Sequence, residues 1–126
     1  MRIDEVEVGD IVSAHCRIAC IAGVFEDRIY TMRGQDFLSG SVYPVLLDDS
    51  VFESNGMFEP VANAWVIVDN DNRSVGQVEH VDGVYRVAMS LTGYELIVDI
   101  RYVHELQHIL RFCKLYDLAD SIAVKC

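Results

Sequence analysis

The chain has 126 residues, 52% of them hydrophobic, with 20 acidic side chains against 10 basic ones. That length suits one domain, or two small lobes sharing a core, and it buries enough surface to fold without a disulfide or metal staple. A net charge of −10 argues against sequence-independent binding to nucleic-acid phosphates, which needs Lys and Arg to displace counterions.

The same charge disfavours anionic membranes, and the scattered acids read as solubility. The opening MRIDEVEVGD carries charges where a secretion signal needs an apolar core, and no apolar run approaches the ~20 residues of a membrane span. The expectation is a cytoplasmic protein with reduced thiols and no cofactor. Asn72-Arg73-Ser74 matches a glycosylation acceptor, without meaning in that compartment.

The first part, residues 1–47, reads as short strands. VGDIVSA, RIACIAGVF, RIYTM and SVYPVLL are rich in Val, Ile and Tyr and are bounded by turn residues. Glu26-Asp27 forms a hairpin tip, Gly34 and Gly40 mark turns, and Gly9-Asp10 leads into the first strand. Strands this short and close together predict a small, strongly bent sheet or an SH3-like small β-barrel, and the barrel is the expected form.

A connecting helix follows in LDDSVFESNGMF. Asp48 caps it and Asp49 sits in its first turn, where a carboxylate meets the positive end of the dipole. Ser50 with Glu53 is an alternative capping box. Val51 and Phe52 pin the helix to the core, and Asn55-Gly56 supplies a left-handed stop.

Residues 48–126 then continue as an antiparallel meander with a C-terminal helix packed on it, making the whole α+β. NAWVIVD is apolar on both faces, as a central strand should be, and NDNR is a turn. SVGQVEH and VYRVAMS flank Val81-Asp82-Gly83, whose Asp-Gly pair signals a hairpin. Tyr94, Leu96, Val98 and Ile100 alternate with Glu95, Ile97 and Asp99, the period of a half-buried strand. The helix spans about Tyr102 to Phe112.

That helix contains HELQH, residues 104–108. On a helix, an i, i+4 pair of imidazoles fits one zinc ion and the intervening Glu reaches the metal-bound water as a base. His104 and His108 would be the ligands and Glu105 the base. Tyr102, Val103, Leu106, Ile109, Leu110 and Cys113 form one apolar stripe, which places both histidines on the opposite face, beside Arg101 and Arg111. Catalytic zinc needs a third protein ligand. In the extended motif, Arg111 holds the glycine slot and Lys114 the last histidine slot. No Glu follows Glu105, which leaves Asp117, Asp120 or a sheet residue such as His80. A solvated helix face is the preferred reading.

Other constellations have plainer explanations. Cys16 and Cys20, with His15, would begin a metal knuckle, but at i, i+4 in a strand the thiols are far apart for one ion; Cys113 and Cys126 complete no second pair. Asp48-Asp49 and Asp69-Asn70-Asp71 could hold a hard cation, yet each lies at a cap or turn. Trp65 sits in the most apolar strand and reads as core.

VEVGDIV, YPVLLDDSVFESNGMF, YVHELQH and FCKLYDLADSI occur in an order that resembles a family of small proteins of Bacteroides-type genomes and their prophages. Members of that family carry stretches like RIGNxV, PIPLTEEWLLKFGF, YVHQLQN and FALTGEEL. The resemblance implies no established activity and transfers no catalytic residue. At Glu105 and His108 the family pattern has Gln and Asn, which implies that zinc chemistry is not a family property.

The expected function is therefore a non-enzymatic protein-interaction module with a protein partner, of the kind a mobile element carries as an accessory. Neither nucleic acid nor membrane is an expected partner. The alternative is a zinc-dependent hydrolase using His104, Glu105 and His108.

Overall fold

Turn chemistry lays out most of the chain. In a computed structural model, described over residues 1–91 and 94–124 with the side chains of Ile3, Leu91 and Tyr94 outside that set, the protein is α+β. Ten strands form two antiparallel five-stranded sheets, accompanied by three α-helices among the described residues. The chain divides into two units, Met1–Leu46 with Tyr102–His104 and Val124, and Leu47–Arg101 with Glu105–Ala123.

In the first unit, β1 (Ile11–Ala14) is entered through Gly9, whose φ of 92° a side chain would strain. Asp10 beside it is buried and accepts the Glu7 N–H at 2.8 Å. His15 and Cys16, both at positive φ, turn the chain into β2 (Arg17–Phe25) with the twist a two-residue hairpin needs. This corrects the strand placement of Cys16: it lies exposed in the turn, while Cys20 lies in β2. Cys126 lies outside the described residues.

Glu26-Asp27 turns β2 into β3 (Arg28–Thr31), as the sequence predicts. Gly34, at φ 81°, donates its N–H to the Thr31 carbonyl and leads into β4 (Asp36–Leu38). A 3-10 turn at Ser39–Ser41 then returns the chain to β5 (Val42–Pro44), which pairs with β1. The order β4-β3-β2-β1-β5 leaves β4 and β5 as edges, so no closed barrel forms among the described residues. Val6, Val12, Ala14, Ile21, Ile29 and Val42 make the core of this unit. Within the same unit Leu46 bridges to Tyr102, and the Val103 N–H donates to the Val45 carbonyl at 2.8 Å.

The second unit is a meander: β6 (Phe58–Val61), β7 (Ala64–Val68), β8 (Ser74–Val81), β9 (Val84–Leu91) and β10 (Tyr94–Ile100), adjacent in chain order. Asp82 and Gly83, both at positive φ, form the predicted hairpin between Val81 and Val84. Asp69 accepts the N–H groups of Asp71 and Arg73, each at 2.9 Å, so its carboxylate builds a turn and needs no cation to explain it. Ile67, Val78, Tyr85, Val87 and Met89 are buried on one face. Gly76 has to be glycine, because a Cβ there would stand 2.6 Å from Met89 Sδ and 2.9 Å from the Ala88 carbonyl oxygen.

α1 (Asp49–Ser54) starts as predicted: Asp48 accepts the Ser50 N–H at 2.9 Å and also bonds the Ser50 hydroxyl. Val51 and Phe52 are buried. Its end differs from the expected left-handed stop. Asn55 is extended (φ −110°, ψ 120°) and buried. Its Nδ2 donates to the Val51 carbonyl at 2.6 Å and to the Ala123 carbonyl at 3.1 Å, and its Oδ1 accepts the Ala123 N–H at 3.0 Å.

α2 (Val103–Phe112) occupies the predicted span but is not the last helix, because α3 (Tyr116–Ser121) follows. The break has an identifiable cause. Lys114 takes φ 63°, its N–H bonds the Arg111 carbonyl, and the Leu115 N–H bonds the Leu110 carbonyl. That pair of bonds is a Schellman ending with lysine where glycine is usual. Among the described residues no helix is long and apolar enough to cross a membrane.

Candidate functional site

The HELQH helix does not have the solvated face expected for it. Val103, Leu106, Ile109 and Leu110 are buried, as the apolar stripe requires. On the other side His104 is only 7% exposed and Gln107 only 1%, while His108 and Arg111 are half-buried. α2 is therefore buried around most of its girth, and its polar residues need partners there. Gln107 Nε2 donates to the Ala119 carbonyl of α3 at 3.4 Å. The ring of His104 stacks on Tyr102, centroids 5.8 Å apart.

Glu105, the base of the zinc reading, has a local structural task. Its Oε1 accepts the Arg101 N–H at 3.0 Å, a reach back over the first turn like that of a capping-box glutamate. Its charge also lies at the favourable end of the helix. Among the described residues, no set of three His, Cys, Asp or Glu side chains at metal-holding distance contains both His104 and His108. Lys114, in the slot of the extended motif's last histidine, lies in the turn that ends the helix.

His80 stands elsewhere in the second unit, in a cluster that sequence reasoning did not assemble. Asp49 Oδ1 accepts the Tyr85 hydroxyl at 2.6 Å and lies 3.4 Å from His80 Nδ1. The His80 and Tyr85 rings, paired across β8 and β9, stack at 4.4 Å. Below them Phe52 lies 4.9 Å from the rings of both Phe58 and Trp65 and 5.0 Å from Tyr85. Burial first, and then the hydrogen bond to Asp49, push the Tyr85 phenol well above its ordinary range. The phenol is thus held neutral as a donor. The group fastens the first turn of α1 to the sheet, and Trp65, half-buried, stacks on Phe52 within it. The only sequence signal was Asp49 in a helix first turn; nothing tied it to Tyr85, 36 residues away.

The thiols are separate as well. Cys16 is exposed, and Cys113 sits after α2, where burial raises its pKa and disfavours the thiolate.

These sites and sheets define an α+β protein whose conspicuous polar groups build caps, turns and helix contacts. No protein-family model, curated protein or solved structure matches the chain.

Proposed function

We propose that this protein is a non-enzymatic protein-interaction module, an accessory of a mobile element, acting in the cytoplasm on a protein partner. The observation that carries this reading is the character of its open sheet faces. In the first sheet Phe25, Arg28 and Leu38 lie side by side across β2, β3 and β4. Phe25 is 67% exposed and Leu38 49%, while Arg28 pairs with Asp36 at 2.6 Å. Large apolar side chains framed by charges are the composition of a contact surface.

The first unit is taken in this reading as an SH3-like barrel left open. Three features support it: the order β4-β3-β2-β1-β5, a long β2 whose register shifts between Ile21 and Gly23, and the 3-10 turn before β5. In the second unit, the Leu106, Ile109 and Leu110 stripe is assigned to the buried face of the meander.

Affinity capture with the tagged full chain tests the function. Retention of a specific protein from a bacterial lysate, lost in Phe25→Ser/Leu38→Ser, is the expected result; retention of nothing above a bead control counts against it. Metal analysis separates this reading from hydrolysis. One zinc per chain surviving dialysis against a mild chelator, with peptide hydrolysis abolished by Glu105→Gln, would replace the interaction reading with the zinc hydrolase.

A further inference from the structure

The two edges of the second sheet are unlike. β6 is four residues long and contains Pro60, which cannot donate to a ladder. Proline and shortness are two of the ways by which natural sheets keep other strands off their edges. β10 has neither. It is seven residues long and its pairing with β9 runs without a register shift from Tyr94 to Ile100; among the described residues β9 is its only sheet neighbour. A regular edge of this length presents backbone groups in the spacing a further strand requires.

The side chains beside that edge say which strand would fit. Glu95, Ile97 and Asp99 alternate on the exposed face of β10, and Ile97 is 60% exposed. Behind them Asp99 pairs with Arg86 at 2.9 Å, and Glu79 continues the same row on β8. A second copy of this chain is a poor occupant. Antiparallel pairing of two β10 strands about Ile97 sets Glu95 of each against Asp99 of the other, at Cβ separations of about 4.5–5.5 Å, where like charges repel. An extended segment with Lys or Arg at those two positions and an apolar residue between them has the complementary pattern.

Resting on the interaction reading, we propose that β10 is a docking edge. It takes an extended basic segment of a protein partner as a sixth strand, with cationic side chains over Glu95 and Asp99 and an apolar one against Ile97. Backbone bonds supply attachment, and the acids select the partner.

The probe is a synthetic peptide with the core Lys-Thr-Ile-Thr-Lys, titrated into the full chain and followed by amide chemical shifts. Three controls accompany it: the Glu-Thr-Ile-Thr-Glu counterpart, a copy N-methylated at alternate residues, and the Glu95→Lys protein, whose fold is verified by its spectrum. The expected result is saturable binding of the basic peptide, with shifts centred on β10 and β9. Glu95→Lys should weaken it at least about tenfold, the acidic counterpart should not bind, and N-methylation on the ladder-facing side should abolish binding. No saturation, shifts centred elsewhere, or equal binding of the N-methylated copy would overturn the docking edge. A lysate protein captured equally by wild type and Glu95→Lys would also remove β10 from the interface while leaving the interaction reading standing. Capture of nothing by either protein, with peptide binding intact, would instead sink the interaction reading alone.

Discussion

Replacing Asn55 with alanine probes the contact that sequence reasoning misplaced. The substitution removes three hydrogen bonds, to the carbonyls of Val51 and Ala123 and from the Ala123 N–H. At a net contribution of about 1 kcal/mol for each neutral bond, the upper figure is about 3 kcal/mol. Ala123 is exposed, so water can take over its two groups, whereas the carbonyl of buried Val51 has less recourse. The expected loss is therefore about 2 kcal/mol. Urea unfolding should show a lower midpoint at unchanged slope. A chain ending at Ile122 provides the second arm of a double-mutant cycle. Asn55→Ala should cost about 1 kcal/mol less in that background, because two of its bonds are already gone. A loss under about 0.5 kcal/mol, the range of surface substitutions, or the same loss in both backgrounds, would refute the idea that this amide anchors the C-terminal segment.

Four further outcomes are expected. Leu106→Ala, at a fully buried position, should destabilise by about 2–5 kcal/mol in denaturant unfolding; a near-neutral result would mean that the helix faces have been misassigned. Gly76→Ala should cost about 1–3 kcal/mol through its clash with Met89 and the Ala88 carbonyl. Gly23→Ala, which meets nothing within 4 Å, should stay within about 0.5 kcal/mol. Tyr85 should ionise only above the ordinary phenol range in an alkaline titration followed by tyrosinate absorbance. Because its folded pKa is raised, its contribution to stability is whole below the ordinary phenol value of about 10 and is lost as pH climbs through the folded value. Tyr85→Phe should flatten that alkaline loss, and an unchanged slope would contradict the Asp49 bond.

What the sequence made legible was what local rules control. The Asp82-Gly83 and Glu26-Asp27 hairpins, the Asp48 cap and the alternation from Leu96 to Ile100 each depend on residues within a few positions of one another, and each stands where expected. β4 and β6 escaped notice because three or four residues among glycines, prolines and acids carry too short a pattern to read. The burial of His104 and Gln107 escaped for a different reason. A helical wheel sorts residues by polarity, but Gln107 finds a carbonyl on α3, a helix that the wheel of α2 cannot contain. Asn55-Gly56 looked like a stop because Asn tolerates left-handed backbone, whereas its amide was needed for a chain segment 68 residues away. The zinc string was visible as letters, while Glu105's bond to the Arg101 N–H was not.

Neither unit is contiguous in the chain, since the first includes Tyr102–His104 and the second extends to Ala123. During synthesis the hairpins of both sheets can form as they leave the ribosome, because their strands are neighbours in sequence. Completion has to wait. Residues that finish the first unit are made after the whole meander, and the segment that Asn55 holds comes later still. Long closures of this kind come late in folding. A nascent chain halted near residue 100 would thus carry two half-finished units together, and the synthesis of residues 101–123 is the interval in which chaperone contact and aggregation should concentrate.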